Sequence, residues 1–350
     1  MKRLLIVGAV PDFKNNLRFG GATILMQNFI DFLDEKKIKY KFAQTNKFSN
    51  LETGKKRPVL NKIFLLYKFL LYIWVCDTIM FNFSDNGVVY AMPLLLRVAK
   101  LLDKKIVLRK FGGSFEIFLE KLPEDRYNKT LENIKQCDLI FFETKAGIDH
   151  LKTITTPDIN IHWFPNVRNI SKAHKDSRQF NKRLGFISQI CDEKGIADIL
   201  SIAKVLYPEY IIDLYGYIAE EKYENFDWKS HHVNYHGEIS SEQVPDILKG
   251  LLLLLLPSYR EGYPGIVIES LSVGLPVLTT TAGGIPEIIT DGLEGFLITP
   301  GDVNAAVNKI RQLTPNKYKI MCQHAQTTFN KKFESKSTNE RVLNLIKKLR

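Results

Sequence analysis

The sequence predicts an α/β protein built from two doubly wound parallel-sheet (Rossmann-like) domains that face a cleft. The chain has 350 residues, which is too long for one typical domain and suits two. Short apolar runs alternate with helical patterns along both halves, as they do in βαβ units. A polar and charged stretch, residues 169–182, separates the halves. We therefore predict an N-terminal domain over residues 1–168, a linker over residues 169–182 and a C-terminal domain over residues 183–336.

Each predicted strand is a short apolar run, and the predicted helices lie between the strands. In the N-terminal half the predicted strands are residues 4–7, 40–43, 78–81, 105–109, 139–142 and 161–163. The predicted helices there are residues 22–35, 59–75, 89–102, 127–135 and 146–151. In the C-terminal half the predicted strands are residues 183–187, 211–215, 233–235, 251–256, 277–280 and 295–298. The predicted helices there are residues 195–206, 242–249, 266–272, 286–289, 303–312 and 317–329. Ligands of such sheets bind beyond the carboxyl ends of the strands, so functional residues are expected in the loops there.

The composition is ordinary for a globular protein and contains no metal-binding pattern. Hydrophobic residues make up 45% of the chain. No CxxC pair or Cys/His cluster occurs, because the four cysteines are scattered: Cys76, Cys137, Cys191 and Cys322. We therefore expect reduced core cysteines in a cytoplasmic protein. The N-terminal apolar run is short and ends at Pro11 and Asp12, which favours a first strand over a signal peptide.

The formal net charge of +11 calls for an anionic partner or a lysine-rich surface. The chain has no recognised nucleic-acid-binding motif, so we expect no nucleic acid partner. An anionic membrane surface and a diphosphate substrate are both candidates for the partner. The alternative is that the lysines form a solvated surface.

Residues 62–74 (KIFLLYKFLLYIW) form a helical segment that is apolar almost all round. A membrane-spanning helix needs ~20 predominantly apolar residues, so this segment is too short to span a bilayer. It is either buried in the first domain or an interfacial face whose lysines contact anionic headgroups. The second interpretation predicts a protein that is peripheral on the inner face of the membrane and suits a lipid-linked acceptor.

The strongest functional signal lies in residues 257–287 (PSYREGYPGIVIESLSVGLPVLTTTAGGIPE). Seven residues separate two of its carboxylates, Glu261 and Glu269. The leucines of residues 251–256 predict a buried strand before them, and a helical pattern covers residues 266–272. A helix N-terminus binds anions through its free N–H groups and its dipole, and carboxylates accept hydrogen bonds from hydroxyls. A ligand that is both hydroxylated and phosphorylated, such as a nucleotide sugar, fits this combination. The alternative is that both glutamates are solvated acids at the start of a helix.

This stretch closely resembles the donor-site signature of retaining glycosyltransferases of the GT-B fold, sequence family 4 (glycosyl transferases group 1). The parts of the signature occur in the family's order: Pro257-Ser258, Glu261-Gly262, Glu269, Gly274-Leu275-Pro276-Val277 and Gly283-Gly284-Ile285-Pro286-Glu287. Such an ordered set is far more specific than two glutamates alone. The resemblance implies the GT-B fold, in which the last helix, here residues 337–350, crosses back onto the first domain.

By this resemblance, the catalytic residues are Glu261 and Lys194. Glu261 would contact the transferred sugar or its phosphate, and Lys194 would stabilise the charge of the departing nucleoside diphosphate. The family has an arginine five residues before this lysine, where the present chain has the neutral Gln189. The alternative for Lys194 is a side chain that simply faces solvent.

The resemblance also implies a set of donor-binding residues: Gly20, Gly21, Gly216, Ile239, Tyr263, Pro264, Gly265, Ile266 and Glu269. Glu269 would bind the ribose hydroxyls, and the backbone of residues 263–266 would hold sugar hydroxyls and phosphate. Gly216 and Ile239 resemble positions beside the nucleobase. Gly20-Gly21 would help to close the site over the diphosphate; alternatively, it is a plain flexible turn.

The acceptor side is predicted from residues 109–115 (RKFGGSF), which follow a strand of the first domain. The candidates for binding an acceptor phosphate or sugar are Lys110, Gly112, Gly113 and Ser114. Alternatively, the glycines only shape a turn. Many family members have a histidine near this point, and Phe111 takes its place here.

The resemblance implies an enzyme of the hexosyltransferase class (EC 2.4) that transfers a sugar with retention of configuration. A nucleotide diphosphate sugar would be the donor and a hydroxyl of a glycan or lipid-linked glycan the acceptor, in surface polysaccharide biosynthesis. Front-side displacement of this kind requires no protein nucleophile, metal or other cofactor. Two alternatives stay open: a nucleotide-sugar epimerase of the same fold, and a catalytically silent glycosyltransferase-like binding subunit, which Gln189 and Phe111 favour.

Overall fold

The computed structural model describes residues 3–11, 21–46, 58–113, 115–169 and 178–349. The chain divides into two units, each with its own parallel sheet. Unit 1 consists of Met1–Pro165 and Lys336–Arg350, and unit 2 consists of Asn166–Ser335. The C-terminal segment thus belongs to unit 1, although it follows unit 2 in the chain.

Unit 1 is organised around a six-stranded parallel sheet in the order β2-β1-β3-β4-β5-β6. Its strands are β1 (Leu4–Gly8), β2 (Tyr40–Gln44), β3 (Thr78–Phe83), β4 (Lys105–Lys110), β5 (Leu139–Phe142) and β6 (Ile161–Trp163). Its helices are α1 (Gly21–Glu35), α2 (Pro58–Ile73), α3 (Met92–Leu101), α4 (Phe115–Glu120), α5 (Glu124–Lys135) and α6 (Lys145–Ile154). Both β1 and β3 are buried at every position, which explains why their sequences are continuous apolar runs rather than alternating ones.

One face of the unit 1 sheet carries both α2 and α3. Leu65 and Phe69 of α2 and Leu95 of α3 join a single buried cluster with Leu5 and Val7 of β1. The two helices therefore belong to one layer, packed on the same side of the sheet.

Unit 2 repeats the scheme with the sheet order β12-β11-β10-β7-β8-β9. Its strands are β7 (Arg183–Ile187), β8 (Ile211–Tyr215), β9 (Val233–Tyr235), β10 (Leu253–Leu256), β11 (Val277–Thr280) and β12 (Gly295–Ile298). Its helices are α7 (Ile196–Leu206), α8 (Val244–Lys249), α9 (Gly265–Ser272), α10 (Ile285–Ile288), α11 (Val303–Arg311) and α12 (Pro315–Lys332). The last helix, α13 (Ser335–Lys347), begins at the end of unit 2 and otherwise belongs to unit 1.

The predicted α/β class with two doubly wound parallel sheets is confirmed, and the structure differs from the predicted elements at three places. The strand predicted from Leu251 begins at Leu253, and the Leu251 side chain packs so closely on Gly185 that a Cβ there would lie only 2.2 Å away. A π-helical turn, Gly87–Ala91, precedes α3 where a continuous helix was predicted. Helix α4 was not predicted, because six residues are too few to show a helical period.

Two absences concern only the parts of the chain that the structure describes. There, no helix is long and apolar enough to cross a membrane. Within the same ranges, no group of three or more His, Cys, Asp or Glu side chains is placed to hold a metal ion.

The four thiols are predicted to react slowly in the folded protein. Burial raises the pKa of each of them, that of Cys137 to about 12 and that of Cys322 to about 11. Because the thiolate is the reactive form, a thiol reagent at about pH 8 should label the native chain slowly and all four cysteines after unfolding. Rapid labelling of the native protein would show that a cysteine is more accessible than its burial indicates.

Candidate functional site

The loops that follow β7 and β10 lie side by side at the carboxyl edge of the unit 2 sheet, because these strands are hydrogen-bonded neighbours. There, Nζ of Lys194 lies 2.7 Å from Oε1 of Glu261. Ser258 Oγ donates a hydrogen bond of 2.8 Å to the same oxygen. The Glu261 side chain is only 8% exposed, so its attraction to Lys194 is screened less than in a surface pair. The structure thus brings together the two residues predicted to be catalytic.

Lys194 is positioned by a short 3₁₀ turn, Asp192–Lys194, which ends at Gly195. Gly195 has φ +80°, and a Cβ there would lie 2.2 Å from the carbonyl oxygen of Pro257. A side chain at this position would therefore force the turn away from the end of β10. The glycine that follows the lysine in the sequence motif is what allows the lysine to reach Glu261.

Asp192, the first residue of this turn, has partners other than Lys194. It accepts hydrogen bonds from Nζ of Lys222 and from the hydroxyl of Tyr223. These hydrogen bonds, chiefly the one from Lys222, hold the pKa of Asp192 below its ordinary value. Asp192 therefore stays ionised and paired at neutral pH, and Lys194 pairs with Glu261 instead.

The loop that carries Glu261 is held in place by the Gly283-Gly284 turn. Gly283 has φ +55°, and a Cβ there would lie 2.0 Å from the carbonyl oxygen of Glu261. The N–H of Gly284 donates a 2.8 Å hydrogen bond to the carbonyl of Gly262. These contacts explain why the motif needs glycines more than twenty residues after its first glutamate. Without side chains, the backbone of the Gly283-Gly284 turn can pack directly on the backbone of the Glu261 loop.

The second glutamate of the motif has a partner that the sequence did not indicate. Nε of Arg168 lies 2.5 Å from Oε1 of Glu269, and the Glu269 side chain is 28% exposed. A Cβ on Gly265 would lie 2.0 Å from Nη2 of Arg168, so the guanidinium rests against the first residue of α9. Because Arg168 and Glu269 lie 101 positions apart in the chain, no local pattern could have revealed this pair.

The backbone segment predicted to bind sugar and phosphate contains the start of α9. Pro264 is the extended residue before the helix, and Gly265 and Ile266 form the beginning of its first turn. The N–H groups of a first turn have no intrahelical acceptor, so they can bind an anion. The carbonyl of Tyr263, in contrast, accepts a hydrogen bond from the buried Asn166 side chain. The N–H groups of this segment, rather than the Tyr263 carbonyl, are therefore suited to the predicted ligand contacts.

Gly216 and Ile239, predicted beside the nucleobase, follow β8 and β9. Gly216 has φ +141°, and a Cβ there would lie 1.7 Å from the carbonyl oxygen of Ser188, so only glycine fits. The N–H of Gly216 donates to the carbonyl of Gly237 at 2.8 Å, and its carbonyl accepts from the Tyr235 hydroxyl at 2.9 Å. Ile239 is half-buried, and Gln189 is exposed just after β7.

In unit 1, the turn after β4 is built around buried charges. Lys110 is completely buried, with Nζ 2.6 Å from Oδ1 of Asp85 and 2.7 Å from the carbonyl oxygen of Gly112. Burial lowers the pKa of Lys110, and Asp85 opposes that shift. The N–H of Gly112, whose φ is +97°, donates to Oε2 of Glu143 at 2.9 Å. This arrangement favours the alternative that the residues shape a turn, and the acceptor role stays a prediction.

The remaining predicted residues of unit 1 are only partly described. Gly21 is the first residue of α1 and is exposed, while Gly20 lies outside the described residues, as does Ser114. Gly113 is half-buried, and Phe111, which occupies the family's histidine position, is 5% exposed.

A cavity of about 490 Å³ lies at the carboxyl edge of the unit 1 sheet. That volume is within the range of small-molecule sites. It is lined by residues that follow four different strands, namely Ala9, Thr45, Ser84 and Phe111, and by Ala22 and Thr23 at the start of α1. Asn61, Lys62 and Leu65 of α2 complete the wall of the cavity. The site motifs had not indicated this cavity, because its lining comes from separate elements.

Part of the chain is similar to known glycosyltransferases. Residues 167–329 match the family model described as glycosyl transferases group 1. An uncharacterized 41.2 kDa protein in the cps region of Klebsiella pneumoniae is 24% identical over 279 residues, which are 76% of each chain.

Solved structures show the same fold over the whole chain. HepE of Anabaena, solved in complex with UDP, has a TM-score of 0.74 and 15% identity and covers 100% of both chains. The apo form of the lipopolysaccharide outer core galactosyltransferase WaaB has a TM-score of 0.69 and 16% identity, and the match covers 99% of this chain and 100% of that chain. The predicted GT-B fold is confirmed.

Proposed function

We propose that the chain, whose residues 167–329 match the family model of glycosyl transferases group 1, is a retaining glycosyltransferase. It transfers a sugar from a nucleotide diphosphate sugar to a hydroxyl of a glycan or lipid-linked glycan, as a hexosyltransferase (EC 2.4). We expect the reaction to need no metal or other cofactor.

The observation that carries this proposal is the Lys194–Glu261 pair with Ser258 at the end of β10. The leaving nucleoside diphosphate gains negative charge as the sugar–phosphate bond breaks, and a fixed ammonium group stabilises that charge. Among the described residues, Lys194 and Ser258 both contact the same oxygen of the Glu261 carboxylate, Oε1. Its other oxygen is then suited to accept a hydrogen bond from a hydroxyl of the transferred sugar. The neighbouring first turn of α9 supplies N–H groups for phosphate.

Arg168 adds a second positive charge to this part of unit 2. Its guanidinium lies beside the first residue of α9 and contacts the carboxylate of Glu269. We propose that it orients Glu269 toward the ribose hydroxyls. It also supplies positive charge near the site, which partly compensates for the neutral Gln189 at the family's arginine position.

The sugars of UDP are the first donors to test, since HepE was solved with UDP. For the acceptor, the relative in the cps region and the lipopolysaccharide outer core galactosyltransferase support a role in surface polysaccharide biosynthesis. The unit 1 cavity has a suitable volume for one or two sugar rings of such an acceptor.

Nucleotide binding should depend on Glu269. A panel of nucleotide sugars should include at least one that raises the unfolding temperature, because a ligand that binds only the folded state stabilises it. Glu269→Gln should weaken the affinity for that ligand about tenfold, since a charged hydrogen-bond acceptor for the ribose becomes neutral. Titration calorimetry measures the change, with the exposed Glu242→Gln as the matched control. Equal affinities of Glu269→Gln and the parent would remove Glu269 from the nucleotide site.

Product analysis separates this proposal from its alternatives. A retaining transferase yields a product whose anomeric proton has the same configuration as in the donor, as NMR coupling constants report. An epimerase converts the nucleotide sugar into its epimer without any acceptor. A silent binding subunit binds the donor and neither transfers nor hydrolyses it. An inverted product would contradict retention but leave transfer intact.

A further inference from the structure

Helix α2 presents an apolar surface outward instead of a polar one. Its buried side consists of one residue per turn, Asn61, Leu65, Phe69 and Ile73. Ten residues between Val59 and Val75 are exposed, and only one of them, Lys62, is charged. The other nine are apolar or aromatic: Val59, Leu60, Ile63, Leu66, Tyr67, Leu70, Leu71, Trp74 and Val75. Trp74 is 71% exposed and Ile63 is 60% exposed.

Such a surface is unusual for a helix that packs on a sheet. A helix of this kind normally places charged and polar residues opposite its buried stripe. Single exposed apolar residues are common, but a contiguous apolar face marks a site that contacts another molecule or a membrane. The neighbouring helix of the same layer, α3, exposes Leu94 and Leu101 on its outward side. Both helices of this layer, α2 and α3, therefore expose apolar side chains on their outward side.

Unit 1, which carries this face, has a strongly positive net charge. Unit 1 contains 31 Lys and Arg and 18 Asp and Glu, a net charge of +13, whereas unit 2 contains 18 and 20, a net charge of −2. Residues 53–76, which include α2, contain five basic residues and no acidic ones, and Glu52 and Asp77 flank them. Residues 86–102, which include α3, contain Arg97 and Lys100 and no acidic residue, and Asp85 and Asp103 flank them. A protein partner could match the apolar face alone, but the surrounding charge complements an extended anionic surface.

We propose that the exposed face of α2 docks unit 1 onto an anionic lipid bilayer. The sixteen-residue helix would lie in the interface, with its aromatic and aliphatic side chains in the acyl boundary and the nearby lysines at the headgroups. Lys68 fits this placement, since its Nζ lies over the Tyr72 ring at 5.3 Å and its aliphatic stem follows the apolar surface.

The same helix lines the unit 1 cavity through Asn61, Lys62 and Leu65. Docking by α2 would therefore place that cavity next to the lipid headgroups. An acceptor whose lipid stays in the bilayer could reach the cavity with its sugar. Membrane docking itself does not depend on this acceptor or on the proposed transfer reaction.

Vesicle flotation of the full chain tests the proposal without any substrate. We expect binding to vesicles of phosphatidylcholine and phosphatidylglycerol, and about tenfold weaker partitioning onto phosphatidylcholine alone. About 1 M salt should weaken binding to the anionic vesicles, because the Debye length falls to about 3 Å. The double variant Leu70→Ser/Trp74→Ser should lower the partition coefficient at least about tenfold, since two exposed side chains no longer enter the apolar boundary.

The matched control is Val205→Ser/Ile320→Ser, which removes two exposed apolar side chains from unit 2 and should leave binding unchanged. Trp74 fluorescence should shift to shorter wavelength on anionic vesicles, and Trp74→Phe should bind without that shift. No binding by the parent chain, or equal binding by Leu70→Ser/Trp74→Ser, would overturn the proposal. A dimer in sedimentation velocity that this variant abolishes would assign the face to a second copy instead. Normal sugar transfer to a soluble acceptor in either case would leave the proposed function standing.

Discussion

Lys194→Ala is expected to lower the rate of sugar transfer about 100- to 1000-fold. The ammonium group of Lys194 is held 2.7 Å from Glu261 at the end of β10, in a position fixed by Gly195. Loss of one such group leaves the charge of the departing diphosphate without its stabilising partner, and losses of this size are typical for it. The initial rate at saturating donor and acceptor measures the effect on kcat.

A matched control is Lys182→Ala, which removes a lysine at the opposite end of β7. Lys182 pairs with Glu209 on the surface, with a side chain that is 48% exposed, so the variant should transfer sugar at the parent rate. The unfolding temperatures of both variants should be compared with that of the parent, to show that a lower transfer rate does not result from unfolding. A Lys194→Ala variant that is folded and keeps more than about half of the parent rate would remove Lys194 from the catalytic site.

Glu261→Gln should also lower kcat by orders of magnitude, and the two changes should not be additive. Glutamine can still accept the hydrogen bond from Ser258, but it cannot hold the ammonium of Lys194 by charge. Once Lys194 is absent, the further change at Glu261 removes an interaction that is already lost. The double variant should therefore be less impaired than the product of the single effects indicates. Fully multiplicative effects would show that the two residues act independently.

Arg178→Ala is expected to destabilise unit 2 by about 3 kcal/mol, which lowers the unfolding temperature by roughly 6–12 °C for a unit of this size. Nη2 of Arg178 donates to the carbonyls of Leu248 and Leu251, each at 2.7 Å. Nη1 donates to the carbonyl of Val273 at 3.1 Å, and Nε donates to the hydroxyl of Tyr318 at 3.0 Å. Alanine would leave several part-buried carbonyls without their donor, and such groups are costly to leave unpaired.

The control for this variant is Arg260→Ala. Its side chain is 75% exposed, and its pair with Glu193 is a surface contact at 3.6 Å, so we expect almost no change in the unfolding temperature. Thermal unfolding followed by circular dichroism compares the two variants. If Arg178→Ala unfolds within about 1 °C of the parent, the carbonyl contacts contribute little to stability.

Sequence patterns predicted correctly those features that depend on residues close together in the chain. The run from Leu253 to Leu256 is buried at every position, and β10 is paired on both edges, with β7 and with β11, as an interior strand of a parallel sheet. The spacing of Glu261 and Glu269 likewise follows from one loop and the first turns of one helix. The sequence also indicated the apolar character of α2, but not which side of that helix would be exposed.

Long-range pairs were beyond sequence reasoning. Arg168 and Arg178 lie in or beside a stretch that its polar composition assigned to a linker. Yet Arg168 contacts Glu269, 101 positions away in the chain, and Arg178 contacts Tyr318, 140 positions away. Lys110 differs from the expectation in its exposure, because a lysine in a glycine-rich turn looked accessible and is completely buried against Asp85, while its acceptor role stays a prediction. Composition reports the average exposure of a residue type, whereas the packing of distant segments sets the exposure of each residue.

The sequence alone determined the fold class, the strand positions and the donor motif, because these depend on short apolar runs and on residues close together in one segment. Only the tertiary structure decided which charges pair. Lys194 reaches Glu261 because β7 and β10 are adjacent in the sheet, and no local pattern encodes which strands of a sheet become neighbours. The same packing turned one side of α2 outward, since a helix on a sheet can bury only one of its faces.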